Sequence, residues 1–267
     1  MMDLAALQAR LAGLPLGQIE YHATIGSTNT RALQLAEHGA PDLTLVVADE
    51  QTTGRGRTGR KWFTPPDSAL AFSLLLRPQA AWQNGLIGRL AGLGALAVCS
   101  VLEAEYQLAA QIKWPNDVLL NGKKVCGVLV EAQWLGEQLQ AFVLGIGVNV
   151  QPQAVPPLRE LRFPATAVQS EAGQPVKRLD LLAAILAHLM HWKEQLGEPE
   201  FLQAWQQRLA YRGQQVQLST DDGAGLLGEL HGLDESGRLI LQLSHGEQVI
   251  VQAGEIHLRP AVDSGAN

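Results

Sequence analysis

Cysteine is nearly missing from this chain: 267 residues contain two, Cys99 and Cys126, too few for a disulfide framework or a cysteine-rich zinc site. Cys99 falls in an apolar helical stretch, where a buried thiol is the ordinary meaning. No run approaches about 20 uninterrupted apolar residues, so no segment is expected to span a membrane. The first residues, Met1 to Gly13, interrupt their leucines with Asp3 and Arg10 and lack the basic start and apolar run that export needs. A cytoplasmic protein is the expectation. Positive charge is not in excess either: 26 acidic against 20 basic residues leave −6 at neutral pH, which argues against nonspecific nucleic-acid binding as the main task. What remains, 46% hydrophobic and 17% charged residues, can bury a full core, enough for one large domain and a small one.

Against this acidic background the stretch from Gly54 to Trp62, GRGRTGRKW, places Arg55, Arg57, Arg60 and Lys61 among Gly54, Gly56 and Gly59. Glycines let backbone N–H groups close on phosphate or carboxylate oxygens, and arginines add forked, charge-assisted donors. A short basic cluster alone more often means a solvated turn or a nucleic-acid patch. Two further strings follow it. KWPNDVLLNGKKVCGVLVE, from Lys113, has a turn at Trp114-Pro115-Asn116 and a strong type I′ hairpin signal at Asn121-Gly122, so Asp117 to Leu120 and Val125 to Glu131 read as paired strands. Strand alternation lets only one of Lys123 and Lys124 face a site on the sheet. The same alternation keeps Cys126 beside Lys124, which leaves an acyl-carrying thiol open. GIGVNV, from Gly145, is a buried strand whose Gly145 and Gly147 share one face; a bulge or the close approach of a ligand would each account for them.

The three strings, in this order, resemble those of the biotin protein ligase family, over roughly residues 20 to 260. The resemblance implies an α+β fold: a mixed, mainly antiparallel sheet with flanking helices, like the catalytic domain of class II synthetases, then a small SH3-like β-barrel. It implies a catalytic domain over residues 1–210 and a C-terminal domain over 211–267, with biotin and ATP as substrates, Mg²⁺ accompanying ATP, and a biotin carboxyl carrier protein as acceptor. The short start leaves no room for the DNA-binding domain of the family's repressors, so no DNA partner is expected. A monomer and a homodimer stay equally open. The biotin-binding residues carried over are Ser27, Thr28, Asn29, Gln51, Gly54, Arg55, Gly56, Arg57, Lys124, Gly127, Gly145 and Gly147. On local sequence alone, Ser27 and Thr28 read as a helix N-cap. Arg57, Arg60, Lys61, Trp62, Asn116 and Asn149 are carried over to ATP, and Phe163 is the nearest aromatic for the adenine. Arg57, Lys124, Asp117 and Lys113 are the catalytic candidates: Lys124, by its match to Lys-x-x-Gly, bridges biotin carboxylate and α-phosphate, and Asp117 receives the acceptor ammonium.

The rest of the chain is scaffold. Helical periodicity is expected over Leu4 to Leu11, from Ser27 to Gly39, over Leu86 to Tyr106, Leu179 to Leu196 and Pro199 to Ala210, and buried strands at Leu43 to Ala48 and Ala69 to Leu76. Gln151 to Pro164, with four prolines, reads as a surface loop. His188 and His191 sit three apart on a helix, but no third ligand accompanies them, and no metal site is expected. From Gln215 short alternating strands are separated by turns at Asp221-Asp222-Gly223, Ser236-Gly237 and His245-Gly246. Three alternatives to biotin ligation remain at this level: lipoate or octanoate transfer on the same fold, a nucleic-acid-binding module built on the basic loop, and an inactive scaffold.

Overall fold

The computed structural model describes residues 2–79, 86–161, 163–220, 225–252 and 256–260. Seven strands form the main sheet: β1 (Ile19–Ile25), β2 (Leu45–Gln51), β3 (Ala69–Leu76), β4 (Ala110–Lys113), β5 (Asp117–Leu120), β6 (Lys123–Leu135) and β7 (Gln138–Asn149). Their order is β1-β2-β3-β7-β6-β5-β4. Only β1 and β2 run parallel; every other neighbour is antiparallel. The hairpin of β5 and β6 turns at Asn121 (φ 49°) and Gly122 (φ 72°), the two successive positive φ values of a type I′ turn.

Among the described residues six helices flank it: α1 (Leu4–Leu11), α2 (Thr28–Glu37), α3 (Leu90–Tyr106), α4 (Val168–Ala172), α5 (Arg178–Glu194) and α6 (Pro199–Gln207). Period-2 alternation divides the sheet's two faces between them. On one face Leu70, Phe72, Leu74, Leu144, Ile146 and Val148 join the main hydrophobic core with α3 and α5. On the other, Val46, Leu75, Ala141 and Val143 pack under Ala32, Leu35 and Ala36 of α2. Helix α2 covers only part of that second face. Beyond its N-terminus the facing positions shrink to Ala71, Ser73, Gly127, Gly145 and Gly147, which are in cross-strand register, and this pavement of small residues is where a ligand can lie on the sheet.

The stretch Leu86–Tyr106, a 3₁₀ turn running into α3, is long and apolar enough to cross a membrane by composition alone. Its side chains instead face sheet and helices: a Cβ on Gly94 would lie 2.9 Å from Val128, and one on Gly92 would lie 2.4 Å from the Trp205 ring. That close packing is the reason for glycines that cost a helix about 1 kcal/mol each.

The second sheet contains β8 (Gln215–Thr220), β9 (Gly225–Leu233), β10 (Leu239–Gln242), β11 (Gln248–Val251) and β12 (Ile256–Pro260), all antiparallel, in the order β11-β10-β9-β8-β12. The turn expected at Asp221-Asp222-Gly223 lies outside the described residues. The turn at Ser236-Gly237 docks on the first sheet: Trp114 Nε1 donates to Gly237 O (3.0 Å), and Arg89 donates to Glu235 O and Leu196 O. One continuous hydrophobic cluster includes side chains of both sheets.

Candidate functional site

Helix α2 begins at Ser27, whose Oγ faces the N–H of Thr30 at 3.5 Å, a long N-cap contact. Thr28 is turned to the end of β2. Its N–H donates to Gln51 Oε1 (2.9 Å), its Oγ1 lies 3.2 Å from the same oxygen, and Gln51 Nε2 donates to Thr64 Oγ1. Ser73, buried on β3, lies 2.8 Å from Thr28 Oγ1 and donates to Asn29 Oδ1 at 2.6 Å. Asn29 Nδ2 in turn donates to Glu131 Oε2 (2.8 Å), which also accepts from Arg55 Nη2 (2.8 Å). Sequence reasoning missed Ser73 and Glu131. The available signal was alternation along β6, where Gly127, Leu129 and Glu131 face the same way as the pavement glycines.

The glycine floor carries the protein's own side chains as well. A Cβ on Gly145 would sit 1.9 Å from Asn29 Oδ1, and one on Gly147 would sit 2.3 Å from the Trp62 indole. The close approach expected of these glycines is therefore made, at these two points, by Asn29 and Trp62. The Trp62 ring also lies against Gly127 and separates two adjoining cavities. The first is lined by Ser27, Thr28, Asn29, Arg55 and Gly145, among others, the second by Gly54, Asn149, Glu160 and Phe163; Gln51, Arg60, Lys61, Trp62, Lys113, Asp117 and Lys124 border both.

At that border Lys124 Nζ lies 2.6 Å from Asp117 Oδ1. Lys123 points away, 3.8 Å from Glu171. Between them and the rest of β6 the register slips: Leu119 opposes Lys124, but Val118 opposes Cys126. Val125 is the extra residue of a bulge, and a bulge reverses alternation beyond it. Cys126 thus enters the core, fully buried, instead of standing beside Lys124; Gly127 takes that face, 3.2 Å from the lysine Nζ at its would-be Cβ. The acyl-carrying thiol is overturned on this geometry, and burial pushes the Cys126 thiol far above its ordinary pKa, away from thiolate.

Arg57 is half-buried and donates to Asn116 Oδ1 (3.3 Å), while Asn116 Nδ2 donates to Val128 O (2.7 Å). Burial lowers the guanidinium pKa, and the charge of Asp117 offsets part of that. Arg55, Arg60 and Lys61 are exposed, Arg55 in its pair with Glu131. Lys113 is buried, with Nζ 4.0 Å from the centre of the Phe163 ring, a cation–π arrangement. Asn149 Nδ2 donates to Thr166 O, and Pro164 to Thr166 runs beside Lys124 through two backbone hydrogen bonds. The proline-rich segment is anchored to the strand that bears the lysine. Its first part forms 3₁₀ turns at Pro152–Ala154 and Leu158–Glu160.

A chamber on a glycine floor adjoins a second cavity across a border that carries Arg60, Lys61, Lys113 and a lysine–aspartate pair, an arrangement suited to an enzyme that handles anionic ligands. Residues 21–149 match the biotin/lipoate A/B protein ligase family, and residues 212–259 match the biotin protein ligase C-terminal domain. The biotin--[acetyl-CoA-carboxylase] ligase of Paracoccus denitrificans is 40% identical over 86% of this chain and 97% of its own length. The bifunctional ligase/repressor BirA of Bacillus subtilis (strain 168) is 33% identical over 87% of this chain and 72% of its own. The structure of biotin protein ligase from Aquifex aeolicus in complex with biotin and ATP superimposes with a TM-score of 0.78 at 31% identity, covering 91% of this chain and 99% of that one. The chain belongs to the biotin protein ligase family, and it is an enzyme, a biotin ligase.

Proposed function

We propose that this enzyme condenses biotin with ATP to biotinyl-5′-AMP and pyrophosphate, then transfers the biotinyl group to a lysine of a biotin carboxyl carrier protein. The observation that carries this reading is the Lys124–Asp117 pair at the junction of the two chambers. A carboxylate does not acylate an amine at neutral pH, because oxide is a poor leaving group. Attack of the biotin carboxylate on the α-phosphate, with expulsion of pyrophosphate, converts it to a mixed anhydride whose leaving group is AMP. Charge builds at the α-phosphate in that step, where Lys124, at the border of the two chambers, and Arg57, in the lining of the first, would stabilise it. Arg60 and Lys61, exposed at the mouth, suit the β- and γ-phosphates.

In the second step the acceptor lysine attacks the carbonyl, AMP leaves, and the ammonium must first give up a proton. Lys124 held by the adenylate no longer neutralises Asp117, whose carboxylate then receives the incoming ammonium. Ser27, Thr28, Asn29 and Gln51 take the ureido ring beside the floor at Gly145 and Gly147, and Phe163 and Asn149 line the nucleotide side. ATP would enter as its magnesium complex, the ion carried by phosphate oxygens and water. Residues 1–210 serve as the catalytic unit and 211–267 as the C-terminal unit.

The relatives' names support both the biotin substrate and the carboxylase acceptor. The test is exchange of labelled pyrophosphate into ATP, run with biotin, lipoate and octanoate. Biotin alone should support it, because a site built on hydrogen bonds to a ureido group rejects ligands lacking one by roughly 10⁴-fold. Comparable exchange with lipoate, or no exchange with biotin, overturns the proposal. Transfer to a purified carrier domain then checks the acceptor.

A further inference from the structure

We infer that Glu131 is a positioning residue that sets the polarity of the ring-binding hydrogen bonds; this rests on the reading of the ring chamber given above. One carboxylate oxygen, Glu131 Oε2, accepts from Asn29 Nδ2 and from Arg55 Nη2, each at 2.8 Å. Asn29 is buried, so the orientation of its amide decides what its neighbours do. With Nδ2 turned to Glu131, and more distantly to Leu129 O (3.4 Å), its Oδ1 can only accept. Ser73 must therefore give Asn29 its single hydroxyl proton, across 2.6 Å.

Proton counting continues along the chain. Ser73 has no second proton, so its 2.8 Å contact with Thr28 Oγ1 must use the proton of Thr28. Gln51 Oε1 is then satisfied by the Thr28 N–H, and Thr28 Oγ1 turns a lone pair, not a proton, to the chamber. That is the polarity a ring N–H requires. An anion at the far end of the chain thus fixes an acceptor at the near end, and the same anion holds Arg55 of the basic loop. A neutral amide in place of Glu131 would let the Asn29 amide turn over, giving Nδ2 to Ser73 and reversing each donor beyond it, and would leave Arg55 without this counter-ion.

Glu131→Gln is nearly isosteric and tests the charge alone. In biotin-dependent pyrophosphate exchange the variant should show a KM for biotin raised about tenfold, equivalent to about 1.4 kcal/mol, with the KM for ATP unchanged and the melting temperature within about 3 °C of the parent. Ser73→Ala, which leaves Arg55 and Glu131 in place, should reproduce the biotin-selective rise and keeps the test open if the first variant fails to fold. An unchanged biotin KM in either folded variant, or equal rises for biotin and ATP, overturns the inference. Absence of biotin-dependent exchange in the parent enzyme would instead overturn the reading of the chamber itself.

Discussion

Gly145→Ala is the sharpest perturbation of the ring chamber. The added methyl would meet Asn29 Oδ1 at 1.9 Å, Cγ at 2.7 Å and Nδ2 at 3.0 Å, whereas carbon makes comfortable contacts at about 3.5–4.0 Å. Gly145 cannot retreat, since β7 is paired on both sides with β3 and β6. Asn29 must move by more than about 1 Å, which forfeits its bonds to Ser73 and Glu131, a neutral one worth about 1 kcal/mol and a charge-assisted one worth about 1.5–3 kcal/mol. Overpacking adds about 1–3 kcal/mol. The expected loss is about 3.5–7 kcal/mol, a fall in melting temperature of about 10 °C or more for a chain of this size. Differential scanning calorimetry measures it, with biotin-dependent exchange beside it. Asn29→Ala should destabilise the parent protein yet stabilise the Gly145→Ala variant, because it removes the atoms in the clash. A Gly145→Ala variant that melts with the parent, or a double variant no more stable than the single, would refute this account of the floor.

Lys124→Ala should cut pyrophosphate exchange by at least about 100-fold with the fold intact, as for loss of a donor at developing charge, while Lys123→Ala, which removes only a long contact with Glu171 away from the site, should stay within about twofold. Equal effects in the same assay would contradict the register of β6. Cys126→Ala should retain exchange, and thiol reagents should leave Cys126 unlabelled until the protein unfolds; labelling of native protein, read by mass spectrometry, would show the bulge misplaced. Tyr21 donates to Asp49 Oδ2 (2.6 Å), and burial, then this bond, raise its pKa to about 12. A phenol whose folded pKa is raised contributes stability that is complete below its unfolded pKa of about 10 and lost as pH rises towards about 12. Melting temperatures across that interval should fall more steeply for the parent than for Tyr21→Phe; parallel curves would remove Tyr21 from the alkaline transition.

Much of this molecule is decided by short-range pattern. The continuous apolar runs of Ala69–Leu76 and Ala141–Val150, the Asn121-Gly122 turn, and the N-cap before Thr28 are set by neighbours a few residues away, so strands, hairpin and helix start are legible in the string of residues. So are the three polar motifs, because their chemistry lies in composition and spacing. The facing of Cys126 was not, since strand alternation holds only while both strands advance one residue at a time, and Val125 breaks that count through its pairing with β5. Nor could sequence reveal that Gly145 makes room for Asn29 and Gly147 for Trp62, 116 and 85 positions away by their numbers. Ser73 and Glu131 look like ordinary polar punctuation in apolar strands until the sheet sets them beside Asn29. A carboxylate shared by a loop arginine and a helix asparagine is a product of three segments converging, and such convergence is determined by the packing of the whole core, to which no local pattern gives access.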